Sequence, residues 1–393
     1  MRKSSPPPLE PVAAGFLLVG VAFSLLIAPS NIILGLGFLV WLCALGLGQS
    51  RVVWHPVLIP VAGWALWSLV SAMSSLNRPL SVAALDNLLT LLLVPMVLSL
   101  MNPTRWSRFL VLITVTSAMS SMVALGQIAV NGVDLEHRAP GVFSHYMTFG
   151  GWTMAVVLIL VGEVLRGRES RRLKWILPVL GLHAVVLSLS LTRNAWVGIA
   201  VALGLAALMW KSRALLAVPL VVVIAVAILP SQVRDRVVSI TDLEQPANRD
   251  RLAMIQAGLA MAEEHPLAGV GPEMVKKVYP EFRRPDAVRD RVSHLHCNPV
   301  HIMAERGLPA LGMYGLLLVI FGISVVGDLG NPRHPAPNAV ASCLLAVVGL
   351  TVAGLFEYNW GDSEIWILTL FLLAVPPALD QWFRRTVPAE NEG

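Results

Sequence analysis

The sequence is poor in charge. Of its 393 residues only 13% are Asp, Glu, Lys or Arg, whereas 56% are apolar. A soluble protein usually carries about 25% charged residues. The mean hydropathy of +0.70 also excludes an ordinary soluble enzyme or a disordered chain. The composition predicts an all-α, polytopic membrane protein.

Cysteine and nucleotide-binding patterns are scarce or absent. Cys43 and Cys343 fall within apolar runs and only Cys297 lies in a polar segment, which excludes a disulfide-stabilised scaffold. The Walker A, GxGxxG and GxSxG patterns do not occur, so there is no sign of ATP, dinucleotide or serine-hydrolase chemistry. The net charge of +5 does not indicate nucleic-acid binding, since charges in a membrane protein must first be assigned to loops.

Uncharged runs divide the chain into about twelve predicted spans, each near the 20 residues that a bilayer requires. Residues 11–50 hold two spans, with a turn predicted at Pro29-Ser30-Asn31 and the first span kept as an uncleaved helix. The other ten runs lie near 56–73, 82–101, 107–129, 147–165, 175–192, 194–210, 214–230, 308–327, 339–356 and 362–380. The last is the weakest, because its uncharged core is only 365–379.

Basic residues orient these spans, because cytoplasmic loops are enriched in Lys and Arg. With the N-terminus inside, the cytoplasmic loops carry fifteen basic residues, namely Arg2, Lys3, Arg51, Arg105, Arg108, Arg166, Arg168, Arg171, Arg172, Lys174, Lys211, Arg213, Arg333, Arg384 and Arg385. The short opposite loops carry only Arg78, Arg138 and Arg193. This asymmetry predicts that both termini are cytoplasmic.

The predicted organisation has three parts. Residues 1–230 hold membrane helices 1–9, residues 231–306 form one long outer loop, and residues 307–393 hold helices 10–12 and a cytoplasmic tail. A loop of this length within a compact fold is usually functional or disordered, and here its patterns indicate order.

Two helices are predicted in the outer loop. Leu252, Ile255, Leu259 and Ala262 recur at helical spacing, which predicts an amphipathic helix at the membrane surface that ends at His265-Pro266. A turn follows in GVGPE. Asn298 is the predicted N-cap of a second helix, with Pro299 at its first position and its end near Gly307.

Several arginines at the outer side are candidates for anion binding. Arg193 lies between two close spans, where a charge is expensive without water or a partner. Arg251 falls in the first turn of the loop helix, where free backbone N–H groups also favour anions. An Arg fork can bond two phosphate oxygens at once. Arg249 is two residues away from Arg251 and points elsewhere on the helix, so it is a secondary candidate. The alternative for Arg193 is a structural arginine at a helix end, and the alternative for Arg251 is a solvated arginine on the helix surface.

Three histidines near the end of the loop allow two hypotheses. His294, His296 and His301 form an H-x-H-x4-H pattern that could bind zinc, although no HExxH or CxxC pattern accompanies it. A neutral His beside a helix start could instead take a proton from a hydroxyl. The pair Asp242 and Glu244 is a weak divalent-ion candidate and is more typical of a solvated turn.

Isolated polar residues also occur within the predicted spans. Asp86, Glu163 and His183 have no sequence neighbours that indicate a relay. Polar packing between helices explains them at least as well as a proton pathway does.

Three segments carry a family resemblance: T-R-N-A-W at 192–196, HPLAGVGP at 265–272 and HLHCNPVHIMAERGL at 294–308. With them, the chain resembles the O-antigen ligase and O-antigen polymerase superfamily, and most of all an O-antigen ligase. In the ligases a critical His is followed by a polar residue, nine further residues and a Gly. His296, residues 298–306 and Gly307 reproduce this spacing, whereas Cys297 departs from the usual polar residue.

The resemblance implies a GT-C-like glycosyltransferase in the bacterial inner membrane, with its site on the periplasmic side. Such an enzyme moves a glycan from undecaprenyl diphosphate to a hydroxyl of the lipid A core, with inversion and without a metal or other cofactor. His296 would be the catalytic base, with Arg193 and Arg251 holding the diphosphate. His294, His301 and Arg249 are secondary candidates.

Three other functions remain open. The related polymerase would use another lipid-linked repeat as the acceptor, and a protein O-oligosaccharyltransferase would use a protein hydroxyl. A transporter of lipid-linked sugars would concentrate its polar residues near the bilayer midplane, whereas here they cluster at the outer mouth.

Overall fold

The computed structural model describes residues 8–133, 135–166, 170–210, 231–239, 242, 244–285 and 287–386. Over these residues the protein consists of helices and connecting loops, with no strand. The helices before the outer loop are α1 (Leu9–Ala22), α2 (Ile27–Gly46), α3 (Leu58–Met73), α4 (Arg78–Ala83), α5 (Leu93–Leu100), α6 (Pro103–Asn131), α7 (Tyr146–Arg166), α8 (Ser170–Leu189) and α9 (Arg193–Trp210). A 3-10 segment, Ala84–Leu92, joins α4 to α5.

The outer loop and the C-terminal part are helical too. Their helices are α10 (Ser231–Val238), α11 (Pro246–Glu264), α12 (Val275–Phe282), α13 (Asn298–Gly330), α14 (Pro337–Ala353) and α15 (Ser363–Thr386). A short 3-10 turn, Asn359–Gly361, lies between α14 and α15.

The helices support a multi-pass membrane protein. Eight helical stretches of the described chain are long and apolar enough to cross a membrane, and α1, α3 and α14 are shorter apolar helices. Each of these eleven coincides with a predicted span. The remaining span, 214–230, lies outside the described residues, so the total of twelve stays a prediction.

One detail of the predicted spans is wrong. The first turn falls at residues 23–26, not at Pro29-Ser30-Asn31, because α2 already begins at Ile27. Proline is compatible with the first turn of a helix, where its missing N–H has no partner to lose. The span near 362–380 agrees with the prediction that it is the weakest, since the helix there is, together with α9, the least hydrophobic of the eight long apolar stretches; it is also the most buried, with 83% of its apolar window inside the protein.

Helices α7, α14 and α15 form the centre of the bundle. Helix α14 packs against α7 and α9, and α15 packs against α5. Glycines permit close approach, since a β-carbon at Gly162 would collide with the backbone of Ser342 and one at Gly198 with the carbonyl of Gly349. Small residues at such contacts are typical of membrane helices.

Outer helices leave apolar side chains uncovered. On α13, Leu316, Val319, Ile323 and Val326 are exposed at spacings of three and four residues. Monomeric soluble proteins rarely expose a continuous apolar stripe of this kind, so this face is suited to lipid.

Polar side chains within the bundle are satisfied by neighbouring helices. Glu163 accepts hydrogen bonds from Trp106 Nε1 at 2.7 Å and from Asn338 Nδ2 at 2.8 Å, and it pairs with Arg172 at 3.3 Å. His183 contacts the hydroxyls of Ser121 and Ser117 at 2.9 and 3.0 Å. The packing explanation therefore fits both residues, whereas Asp86 is exposed in the 3-10 segment.

The outer loop has a small core of its own. Met254, Met261, Tyr279 and Leu295 are buried together beside α13. The predicted loop helix is present as α11 and ends at His265. However, its buried face consists mainly of methionine and small residues, among them Met254, Met261 and the predicted Ala262, whereas the predicted Leu252 and Leu259 are exposed.

The HPLAGVGP segment forms backbone hydrogen bonds with α13 on both sides of a break in that helix at Gly307. Gly307 has φ +75°, which interrupts the helix near the predicted end. The amide of Leu308 donates to the carbonyl of Pro266 at 2.8 Å, and the amide of Gly271 donates to that of Glu305 at 2.9 Å. A β-carbon at Gly307 would collide with the carbonyl of Leu267. Both the left-handed backbone and the close packing therefore require glycine here.

We expect Gly307→Ala to lower the free energy of unfolding, by about 1–3 kcal/mol from backbone strain alone. The melting temperature of the detergent-solubilised protein measures this change. Gly312→Ala is the matched control, because Gly312 lies in the same helix with no neighbour within 4 Å of an added β-carbon. It should be neutral or stabilise by up to about 1 kcal/mol. Equal melting temperatures for the two variants would contradict this account of Gly307.

Candidate active site

Several segments meet where α7, α9, α11, α13 and α15 begin, and they enclose a cavity of about 510 Å³. We call it the arginine cavity and define it by Arg138, Arg193, Arg251, His294, His296 and Glu357. These residues come from three predicted outer loops, from the start of α9 and from α11. The bundle thus joins parts of the chain that are distant in sequence.

Arg193 is the first residue of α9 and is only 7% exposed. Its guanidinium donates to the carbonyl and hydroxyl oxygens of Ser239 at 2.6 and 3.1 Å, and to Asn248 Oδ1 at 3.0 Å. These acceptors are neutral, and within the described chain no carboxylate pairs with this arginine. Its position is therefore determined while its charge remains available to an anion.

Arg251 lines the same cavity one turn into α11, whereas Arg249 is exposed outside it. This agrees with the prediction that the two arginines point in different directions. Among the residues described, Arg251 forms no hydrogen bond or ion pair. Because α11 begins at Pro246, Arg251 lies in its second turn, so the prediction that it falls in the first turn beside free backbone N–H groups is wrong.

Arg138 is a third arginine in this cavity, and the sequence analysis assigned it no function. Its guanidinium carbon lies 3.7 Å from the centroid of the Tyr146 ring, and its Nε donates to the carbonyl of Leu135 at 3.2 Å. Burial and the neighbouring charge of Arg251 lower the pKa of Arg138. Cations that share a cavity repel one another, so a bound anion would relieve this repulsion.

His296 is held by a carboxylate. Its Nδ1 lies 2.8 Å from Glu357 Oε2, and Glu357 is almost fully buried. Burial by itself would raise the pKa of Glu357, but the hydrogen bond with His296 and nearby positive charge, that of Arg251 included, lower it overall. An ionised Glu357 favours the tautomer with the proton on Nδ1, which leaves Nε2 as an acceptor.

The backbone at His296 is strained. Its φ of +49° is left-handed, a conformation that costs a non-glycine residue about 1–3 kcal/mol. Leu191 and Glu273 are the other non-glycine residues with positive φ in the described chain. Leu191 precedes Arg193 by two residues, so strain occurs at two of the segments that form the cavity.

Asn298 connects the His296 segment to the loop that carries Glu357. Its amide nitrogen donates to Asn359 Oδ1 at 2.7 Å, its side-chain oxygen accepts from the amide of Trp360, and its backbone N–H donates to Gly354. The prediction that Asn298 is an N-cap is wrong. Cys297 occupies the cap without a side-chain hydrogen bond, and Asn298 is the first helical residue.

The three predicted histidines do not assemble into one group. His294 lies beside His296, with 4.3 Å between the ring centroids, but His301 is separate. His301 accepts from the amide of Leu295 at 3.3 Å, contacts Glu305 and stacks on Tyr358 at 3.6 Å. These contacts use both of its ring nitrogens and indicate a structural role.

His294, His296 and Glu357 form a different cluster, with ligand atoms within 4.8 Å of one another. This spacing would suit a divalent ion. Burial lowers the pKa of His294 to about 4, so this imidazole is neutral at neutral pH. The Asp242 and Glu244 pair lies apart in an exposed turn, where the amide of Glu244 donates to Asp242 Oδ1 at 3.0 Å.

Two further polar residues in the cavity were missed. Burial and the charge of Glu357 raise the pKa of Asp362 to about 7, and Asp362 accepts from the Thr148 hydroxyl at 3.0 Å. Burial lowers the pKa of His145. One sequence feature could have predicted that Glu357 and Asp362 belong to the site. Both lie in the acidic outer loop EYNWGDSE between the last two spans.

Residues 178–315 match a family model whose description is O-Antigen ligase. Arg193, Arg251, His296 and Gly307 fall within this match, whereas Arg138 and Glu357 fall outside it. No curated protein matches the chain. The comparison therefore identifies residues 178–315 as a region similar to the O-antigen ligase family.

Proposed function

We propose that the protein transfers a glycan from undecaprenyl diphosphate to a hydroxyl of the lipid A core, with inversion and without a metal. The observation that carries this proposal is one cavity that holds Arg138, Arg193 and Arg251, none of which pairs with a carboxylate among the described residues, together with an imidazole bound to a buried carboxylate. The first feature suits a diphosphate and the second suits removal of a proton.

The arginines account for binding of the donor. Each guanidinium can bond two oxygens of a phosphate and keeps its charge at any physiological pH. As the sugar leaves the lipid diphosphate, negative charge grows on the phosphate oxygen. Hydrogen-bond donors that are already held next to this oxygen stabilise the transition state. Arg193 is the most firmly positioned of the three, because it is anchored to Ser239 and Asn248.

His296 acts as the general base. The acceptor oxygen attacks the anomeric carbon, its proton passes to Nε2 of His296, and the bond from that carbon to the diphosphate oxygen breaks. A single displacement of this kind inverts the configuration at the carbon. Glu357 holds the Nδ1 proton and stabilises the imidazolium that forms, as the Asp does in a Ser-His-Asp triad.

The alternatives differ from this proposal mainly in the acceptor. A polymerase or a protein O-oligosaccharyltransferase would need the same arginines and the same base, so a panel of acceptors separates the three. A transporter would move the lipid-linked sugar across the membrane and would transfer it to none of these acceptors. Purified protein should therefore transfer glycan to lipid A core without ATP, and not to a protein or a second lipid-linked repeat.

We also propose that the protein spans the bacterial inner membrane with both termini in the cytoplasm and the arginine cavity on the periplasmic side. The support is the distribution of basic residues among the predicted loops.

Single cysteines test this orientation. In a Cys43→Ser background, Val288→Cys should react with a membrane-impermeant maleimide in intact spheroplasts, and Arg51→Cys should react only after permeabilisation. Both positions are exposed in the fold, so access depends on the side of the membrane. The reverse labelling pattern would contradict the orientation.

Arg193→Lys and Arg251→Lys should each reduce glycan transfer by roughly 10²-fold or more, because Lys keeps the charge but cannot form the paired hydrogen bonds. Initial rates with a fluorescent lipid-linked glycan measure this loss. Arg249→Lys is the matched control, since Arg249 lies on the same helix outside the cavity. Near-normal transfer by Arg193→Lys would reduce that residue to a structural anchor.

His296→Ala should lower the rate of transfer by about 10²–10⁴-fold, the usual contribution of a general base. Affinity for the donor should remain, since the arginines are intact. Glu357→Gln should lower the rate by roughly 10–100-fold, because a neutral amide stabilises the imidazolium less. His301→Gln should have a much smaller effect on the rate per folded molecule. Loss of donor binding in His296→Ala with unchanged chemistry would make His296 a substrate ligand.

Exhaustive chelation should leave the activity of the purified protein unchanged. The arginines supply the positive charge that a metal would otherwise provide at the diphosphate. If chelation abolished transfer and one particular divalent ion restored it, the ion would belong to the cluster of His294, His296 and Glu357, and the imidazole could not serve as the free base.

A further inference from the structure

A second cavity, of about 300 Å³, lies beside the arginine cavity. We call it the tryptophan cavity and define it by Trp64, Trp360, Trp366, Asn87, Lys276 and Arg306. The two cavities share Ser293, His294 and Asp362 in their walls. Glu357 lines the first and the next residue, Tyr358, lines the second, so a thin partition separates them.

Aromatic rings form one side of the tryptophan cavity. The ring centroids of Trp360 and Trp366 are 4.5 Å apart, and Trp64 lies 5.8 Å from the first and 6.2 Å from the second. The flat apolar faces of such rings pack well against the C–H face of a sugar ring. An indole also offers an N–H donor at its edge.

Two of these donors are unpaired. Trp360 and Trp366 are 7% and 9% exposed, and the Nε1 atom of each is buried without a hydrogen-bond partner in the described part of the chain. Arg306 Nε, on the same cavity, is also buried without a hydrogen-bond partner among the described residues, whereas His294 Nδ1 lies 3.4 Å from Glu357 Oε1. Buried polar groups are nearly always hydrogen-bonded, so the three unpaired nitrogens of Trp360, Trp366 and Arg306 around one cavity point to a ligand with acceptor oxygens.

The charges around this cavity are paired, in contrast to the arginine cavity. Lys276 pairs with Glu273, and Arg306 pairs with Glu305 at 2.7 Å. A phosphate would find no unpaired cation among the lining residues described. Asn87, Ser293 and Asp362 add neutral or acidic hydrogen-bonding groups. The combination of aromatic faces, unpaired donors and balanced charge suits a neutral polyhydroxylated ring.

We propose that the tryptophan cavity is the binding site for the acceptor sugar. This inference rests on the proposed transferase function and adds the location of its second substrate. The sugar packs against the three tryptophans, and its reacting hydroxyl passes the shared wall at His294 and Asp362 to reach His296 in the arginine cavity. The donor diphosphate and the acceptor then approach the base from opposite sides.

Binding of the acceptor can be measured without turnover. The probe is the delipidated core oligosaccharide released from lipopolysaccharide by mild acid, titrated calorimetrically into full-length protein in detergent. Trp360→Phe and Trp366→Phe keep a ring but remove the N–H, and each should weaken binding by roughly tenfold. Asn87→Ala, at an exposed position that tolerates change, should weaken it by several-fold.

Trp41→Phe is the matched control, because Trp41 Nε1 is also buried and unpaired but lies outside both cavities. It should leave the affinity unchanged. Arg193→Lys should bind the oligosaccharide normally while losing transfer, so a failure of the proposed chemistry is distinguishable from a failure of the acceptor site. Melting temperatures confirm that each variant is folded.

Three results would overturn the inference. One is wild-type protein that does not bind the oligosaccharide at all. Another is unchanged affinity in all three cavity variants. The third is a raised KM for the lipid-linked donor with an unchanged affinity for the oligosaccharide, which would assign the cavity to the first sugar of the donor instead.

Discussion

The 2.8 Å hydrogen bond between His296 and Glu357 joins two parts of the chain that the rest of the site depends on. His296 ends the long outer loop, and Glu357 lies in the short loop between α14 and α15. Nearby positive charge and hydrogen bonding lower the pKa of Glu357 although it is buried, so its carboxylate accepts this bond in the ionised form. Asn298 supports the same connection by bonding to Asn359 and Trp360. Since His296 also adopts a left-handed backbone, the surrounding contacts must compensate for local strain.

Electrostatics divides the surroundings of this pair into two unlike environments. On one side Arg138, Arg193 and Arg251 have no carboxylate partners among the described residues, so the free protein retains their mutual repulsion. On the other side Lys276 and Arg306 are paired, and tryptophan rings dominate. The unpaired arginines suit a charged diphosphate, whereas the paired charges and aromatic rings suit a neutral sugar. On the proposed function, the wall between the two cavities is therefore where the glycan would be joined to the acceptor.

The bundle holds these loops in position through close packing rather than through charge. Helix α14 approaches α7 and α9 at glycines, and α15 is buried along most of its length. The charged residues that do enter the bundle, such as Glu163, are satisfied by several partners each. A rigid centre of this kind keeps Glu357 and Asp362 at a constant distance from the outer loop.

Much of this protein was determined by local sequence. Long uncharged runs require helices in a membrane, because backbone groups there must bond within their own segment. Eleven predicted spans therefore coincide with helices. The family resemblance identified Gly307 by its spacing from His296. The structure explains this residue, since a left-handed and tightly packed position admits only glycine. Arg193 was singled out because a charge beside an apolar run is costly without water or a partner, and Arg251 because of its predicted position near a helix start.

Only the tertiary structure decided the rest. Glu357, Asp362 and Arg138 are far in sequence from His296, and no periodicity relates them, so their convergence depends on how α7, α13, α14 and α15 pack. His301 shares a motif with His296, yet it contacts Glu305 and Tyr358 and does not line the arginine cavity. The burial of α15 could not be predicted from its hydropathy. Hydropathy measures transfer out of water, so it does not distinguish a helix that faces lipid from one that is surrounded by protein. Pairing between distant segments is a property of packing, which the order of residues along the chain does not display.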